Sequence, residues 1–141
     1  MMKDGKIEYL QMIQESISRM STNAAIFKGF AATIVAGVAA LTYTDINSWV
    51  LGLSFLPVLA FAILDVYYLT LERRFRFLFN QVRNDNHEID FSMQSTKDSK
   101  EKQQAKATVW DCLKSPSIYL FYPLLTAILI VVFILQLKGA L

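Results

Sequence analysis

The chain has 141 residues, 54% of them hydrophobic, a formal net charge of +2 and a mean hydropathy of +0.35. A single cysteine, Cys112, excludes an intrachain disulfide, and a single histidine, His87, excludes a histidine-rich metal site within one chain. The apolar residues gather into three runs and leave little chain for a second folded domain.

The first segment, residues 1–23, is polar-rich and predicts a cytoplasmic helix over Ile7–Asn23 that continues into the first apolar run. Its length ahead of that run argues against a cleavable signal peptide. Leu10, Ile13, Ile17, Met20, Ala24, Phe27 and Ala31 follow alternating spacings of three and four, the apolar seam of a left-handed helix pair. The seam has three readings: packing within the chain against the helix that extends the second run, self-association, or a membrane-surface helix.

Residues 24–71 hold two of the runs, Ala24–Tyr43 and Trp49–Leu71. Each is near the ~20 residues a helix needs to cross a bilayer. In the first, Gly29, Thr33 and Gly37 share one face, and Ala32, Ala36 and Ala40 a neighbouring one. Small faces let helices approach closely in lipid, so this helix is expected to be the most buried of the three. In the second, Pro57 is expected to bend the helix, and Asp65 stands deep in the apolar run. A carboxylate at that depth needs a partner or a role.

Residues 72–116 predict a helical extension of the second run, a polar loop and an interfacial helix. Arg73, Arg74 and Arg76 alternate with aromatics at headgroup depth, as a lipid anchor or a site for an anionic nucleotide ligand. Within the polar stretch, Ile89, Phe91 and Met93 alternate with Asp90 and Ser92, a period-two pattern of a short extended segment docked on helices or on a partner. Ser95–Lys106 reads as a solvated helix or linker. Val109, Trp110 and Leu113 make an interfacial helix, with Cys112 a buried or inert thiol rather than a lipidated one. Residues 117–141 carry the third run, Ile118–Leu137, with Pro116 at its start and a slight bend expected at Pro123.

Cations are dense before the first run and in 72–116 (including Lys97, Lys100, Lys102, Lys106 and Lys114), and absent from Thr44–Ser48. The tail has only Lys138. The positive-inside rule then puts the N-terminus in the cytoplasm and the C-terminus outside. Trp49 would mark the outer aromatic belt, and Tyr119 and Tyr122 the inner one.

On this topology Asp65 lies about 12 Å above the inner headgroups and Lys28 about 6 Å. Helices joined by a short turn are antiparallel neighbours, so the two can pair. The pair reads as a lock between helices, as an ion or proton relay, or as a lock between subunits. No nucleophile–base set, phosphate loop or metal-ligand cluster accompanies it, and the chain is expected to be neither an enzyme nor cofactor-dependent.

The blocks Tyr9–Gln14, Arg19-Met20, Lys28-Gly29, Leu64–Leu69, Glu72–Arg76 and Asp90–Met93, in this order over nearly the whole chain, resemble a family of small, largely uncharacterised bacterial inner-membrane proteins. Phe30 stands where a tryptophan is expected and Ala25 where a serine is. The resemblance implies a neighbourhood of anti-phage defence genes with TIR or nucleotide-signalling domains. It also implies that Lys28, Asp65, Glu72–Arg76 and Asp90–Met93 belong to one shared arrangement. The expected fold is an all-α integral membrane protein with three transmembrane helices. The expected function is a homo-oligomeric membrane effector that alters permeability in a defence or stress response. A cytoplasmic protein or nucleotide signal at the loop would trigger it; direct nucleic-acid binding is not expected. Two alternatives stand beside it: a non-conducting anchor for a soluble partner, and a small channel or transporter using Asp65.

Overall fold

A computed structural model describes residues 2–93 and 99–139, and among these the regular structure is helical throughout. The elements are α1 (Met2–Leu41), α2 (Ser48–Leu53), α3 (Phe55–Arg83), α4 (Ser99–Gln104), α5 (Val109–Leu113), α6 (Pro116–Tyr119) and α7 (Phe121–Leu137). Lys97 and its neighbours in 94–98 lie outside the described residues, so the expectation for Ser95–Lys106 is met only by α4. Three helical stretches, Gly5–Leu41, Ser48–Arg83 and Pro116–Leu137, are long and apolar enough to cross a membrane, which suggests a multi-pass membrane protein.

The chain divides into two compact units. The first comprises Met1–Ala24 and Val66–Cys112, the second Ala25–Asp65 and Leu113–Leu141, so α1 and α3 each contribute to both. In the first unit Tyr9, Ile13 and Ile17 of α1 pack with Phe75, Leu78 and Val82 of α3, flanked by Leu10, Met20, Phe79 and Met93. Each of these six fully packed side chains contributes about 1.5–3 kcal/mol of burial. In the second unit Ala31, Val35, Leu51, Val58, Ile118, Leu125 and Leu129 are buried, and α2 packs on α7. Leu56, Leu59, Ile63, Leu124, Ile130 and Val131 point outward and stay exposed, an apolar exterior suited to lipid.

Four features differ from the sequence expectations. The first helix begins at Met2 rather than Ile7, because its opening turns are held by a tertiary contact. Lys6 Nζ donates to the Arg83 carbonyl at 3.0 Å and pairs with Asp85 at 2.6 Å. At the two expected proline bends the helical hydrogen-bond ladder is interrupted for one residue, Ser54 and Leu120, while the backbone stays right-handed helical. α2 stops at Leu53, the residue whose carbonyl the missing Pro57 N–H would serve, and Ser54 turns its N–H back to Leu51 at 3.2 Å. α6 stops at Tyr119, the residue Pro123 would serve, and Leu120 donates to Pro116 at 3.2 Å.

The first helix is also the least buried of the three rather than the most: 17% of its apolar stretch is buried, against 28% and 22% in the others. Gly29 and Gly37 are exposed, with nothing within 4 Å of where a Cβ would stand. The buried Ala31 and Val35 occupy the opposite side of α1. Finally, no strand forms among the described residues. The alternation over Ile89–Met93 is broken at Phe91, whose φ of 54° is left-handed. Asp90 is the cause: its Oδ1 accepts the Ser92 N–H at 2.9 Å, an Asx turn that outcompetes extension.

Candidate functional site

All three apolar stretches contribute to one polar cluster within the second unit. Asp65, on α3, is 1% exposed and is ion-paired through Oδ2 with Lys28 Nζ of α1. Tyr122 of α7 donates its hydroxyl to the same Oδ2 at 3.0 Å, with the Phe61 carbonyl a second acceptor at 3.3 Å. Helical periodicity sets the register. Phe61 stands one turn before Asp65 and stacks on Phe27 (6.0 Å) and Phe30 (6.1 Å), which flank Lys28 on α1. A buried carboxylate is tolerable only when its lone pairs are served. Here an ammonium and a phenol serve them within one chain, and the cluster ties α1, α3 and α7 together.

Tyr122 escapes the sequence reading, which assigns it with Tyr119 to the inner aromatic belt. Tyr119 is half-exposed at 50%, whereas Tyr122 is 6% exposed and turned inward to Asp65. Its depth was the available signal: six residues beyond Pro116, about 9 Å along a helix and close to the level of Asp65.

In the first unit, the C-terminal end of α3 and the following segment are clasped by α1. Asp85 takes a left-handed φ of 60°, with Asp85 N–H to Val82 and Asn86 N–H to Gln81, a Schellman closure. Lys6 adds a cation at this negative helix end. One turn along α1, the Tyr9 hydroxyl donates to the Ser92 carbonyl at 2.6 Å and lies 3.3 Å from Asp90 Oδ1, and its ring tilts against Phe91 at 5.5 Å. Phe91 itself remains 43% exposed, and Met93 flanks the core. The segment Asp90–Met93 is thus held chiefly by Tyr9, a residue the seam pattern passes over.

The seam itself divides. Ile13 and Ile17 are buried against α3 and Leu10 and Met20 flank them, all in the first unit, whereas Phe27 stacks on Phe61 in the second. The three arginines are not brought onto one ligand. Arg73 Nη1 donates to the Lys106 carbonyl at 2.8 Å, and Arg76 pairs with Glu72 at 2.7 Å. Arg74, whose Nε is buried without a hydrogen-bond partner among the described residues, projects about 160° around the helix from Arg76. Cys112 is fully buried and takes a hydrogen bond from Thr70 Oγ1 at 3.3 Å.

Acid and base both weaken the Tyr9 clasp, each through a different group. The Ser92 N–H holds the Asp90 carboxyl below its ordinary 3.8. Burial, reinforced by the Asp90 charge, pushes the Tyr9 phenol from 10.0 up to about 12. A lowered carboxyl stabilises above its unfolded value and loses that contribution as pH falls through the folded one; a raised phenol stabilises below its unfolded value and loses it as pH rises. The melting-temperature difference between wild type and Asp90→Asn should therefore be constant near neutrality and shrink below pH 3.8. The difference between wild type and Tyr9→Phe should persist to pH 10.0 and fade toward about 12.

Comparison with protein-family models, with curated proteins and with solved structures finds no match to this chain.

Proposed function

We propose that the chain is a non-enzymatic, three-span protein of a bacterial inner membrane, with its N-terminus and residues 72–116 cytoplasmic. It assembles with copies of itself and alters membrane permeability in a defence or stress response. The charge distribution supports the orientation, and the apolar exterior of the second unit supports lipid as its solvent.

One observation carries the assembly: the uncovered face of α1. Gly29, Thr33 and Gly37 are exposed, and Phe30 beside them is 55% exposed. In lipid, burial of apolar side chains gives no drive, and small faces associate through close dispersion contact. The same helix supplies Lys28 to the buried cluster, so a change of partner on the open face bears on the helix that holds the lock. The segment Asp90–Met93, gripped by Tyr9, is the input: a cytoplasmic protein or nucleotide that takes this segment competes with α1 for it.

Leu in place of Gly29 and Gly37 tests the reading, because open space at both positions lets the monomer accept the larger side chains. Wild type in nanodiscs should run as an oligomer and G29L/G37L as a monomer with unchanged helicity. Cells carrying wild type should depolarise on phage challenge, read with a potential-sensitive dye, and the double variant should not. A wild type that is monomeric in lipid, or that never depolarises under challenge, overturns it.

A further inference from the structure

The α1–α2 connection and the end of α7 surround a second polar feature of the second unit, a cavity of about 360 Å³. Thr42, Thr44, Asp45, Ile46, Asn47, Ser48 and Gln136 line it, with no lysine or arginine among them. Acceptors dominate its lining, with the Asn47 amide N–H groups and the Ser48 hydroxyl as its donors. Thr42 spends its hydroxyl proton on the Ala39 carbonyl at 2.5 Å and Thr44 on Leu41 at 2.6 Å, so each hydroxyl offers the cavity only lone pairs. Gln136 donates its amide nitrogen to the Ile46 carbonyl, which fixes the amide orientation, since the flipped form would oppose two acceptors. Its Oε1 is buried and has no hydrogen-bond partner among the described residues. Such an acceptor costs about 1–3 kcal/mol when left unserved. Asp45 adds a carboxylate. Asn47 has its oxygen engaged by the Trp49 N–H at 3.3 Å, capping α2.

The end of α1 reinforces this polarity. α1 and α7 both end here; α1 has no basic residue in its last turn, and α7 carries Lys138 at its C-cap. Helix C-termini carry partial negative charge. A carboxylate, an orphaned amide oxygen, two hydroxyl oxygens and the α1 C-terminus together suit a positive ligand with oxygen-seeking chemistry.

We propose that this cavity is a binding site for a small cation, held through Asp45, Gln136 Oε1 and the threonine oxygens. Two sources share that chemistry: a hard metal ion such as Ca²⁺, and the primary ammonium of an ethanolamine lipid headgroup. One carboxylate among neutral oxygens implies millimolar affinity rather than tighter. The site is independent of the effector reading.

The test uses the full chain in lipid-free detergent, titrated with CaCl₂, ethanolamine hydrochloride or choline chloride at matched ionic strength. Choline, a quaternary ammonium without N–H donors, is the control. A ligand that binds the folded state raises the melting temperature, and the rise continues with the logarithm of concentration above the dissociation constant. Stabilisation by Ca²⁺ beyond choline assigns a metal ion; by ethanolamine, a lipid amine. In either case Asp45→Asn, at an exposed and nearly isosteric position, should raise the concentration needed for a given shift at least about tenfold. Trp49 fluorescence in a Trp110→Phe background gives a second readout. No response beyond choline by either measure, or an undiminished response in Asp45→Asn, overturns the proposal.

Discussion

Lys28→Met should destabilise the protein more than Asp65→Leu, although the two changes break the same ion pair. The asymmetry follows from burial. Asp65 is 1% exposed, so loss of Lys28 leaves a carboxylate enclosed with only the Tyr122 hydroxyl to serve it. Stranding one member of a buried pair costs about 3–5 kcal/mol. Lys28 keeps 22% of its side chain exposed, and its flexible stem can carry the ammonium to more polar surroundings once Asp65 is gone. Asp65→Leu should therefore cost about 1 kcal/mol, near the lower range for lost polar contacts between membrane helices. The double variant K28M/D65L should be more stable than K28M alone, since it strands nothing. Denaturation in mixed micelles, followed by circular dichroism, ranks the variants. A neutral Lys28→Met would remove the lock from the account of this site. The same series bears on the channel alternative: transport lost in Asp65→Asn with the melting temperature intact would place the carboxylate on an ion path.

What the sequence discloses about this cluster depends on how local the information is. Three apolar runs and one acid inside the second are plain from composition, and the helical architecture follows from them. Lys28 can be brought near Asp65 by rise-per-residue arithmetic, because a short connection forces α1 and α3 to run antiparallel. Tyr122 belongs to a helix joined through a long polar loop, so its rotation about its own axis is set by packing. The prolines illustrate another limit. Pro57 and Pro123 announce a disturbance, but its size is set by the packing around the freed carbonyl. Ser54 and Leu120 keep right-handed helical dihedrals, so each interruption is one residue long. Over Ile89–Met93 a period-two pattern competes with the Asx turn of Asp90, and side-chain capping defeats alternation. Tyr9 is absent from the seam because its hydroxyl excludes it from an apolar series, yet its ring is as buried as Ile13.

Tyr9→Ala should therefore be the most damaging change in the first unit, with effects reaching well beyond its own position. Removing a fully buried aromatic costs about 3–5 kcal/mol. Here the ring also supports Phe91, and the hydroxyl serves the Ser92 carbonyl. Amide exchange over residues 86–93 should rise sharply in Tyr9→Ala, while exchange in the second unit stays near wild type. Tyr9→Phe separates the two contributions. It keeps the ring and deletes the donor, at about 1 kcal/mol, and should loosen residues 90–93 without exposing Ile13 or Leu78. If the clasped segment is the resting state of the proposed effector, Tyr9→Ala imitates the trigger, because it frees Asp90–Met93 without any ligand. Cells expressing it should depolarise with no phage challenge, and G29L/G37L in the same chain should silence that activity. A freed segment, seen by exchange, in cells that keep their potential would separate the clasp from the permeability change and leave it a purely structural fastening.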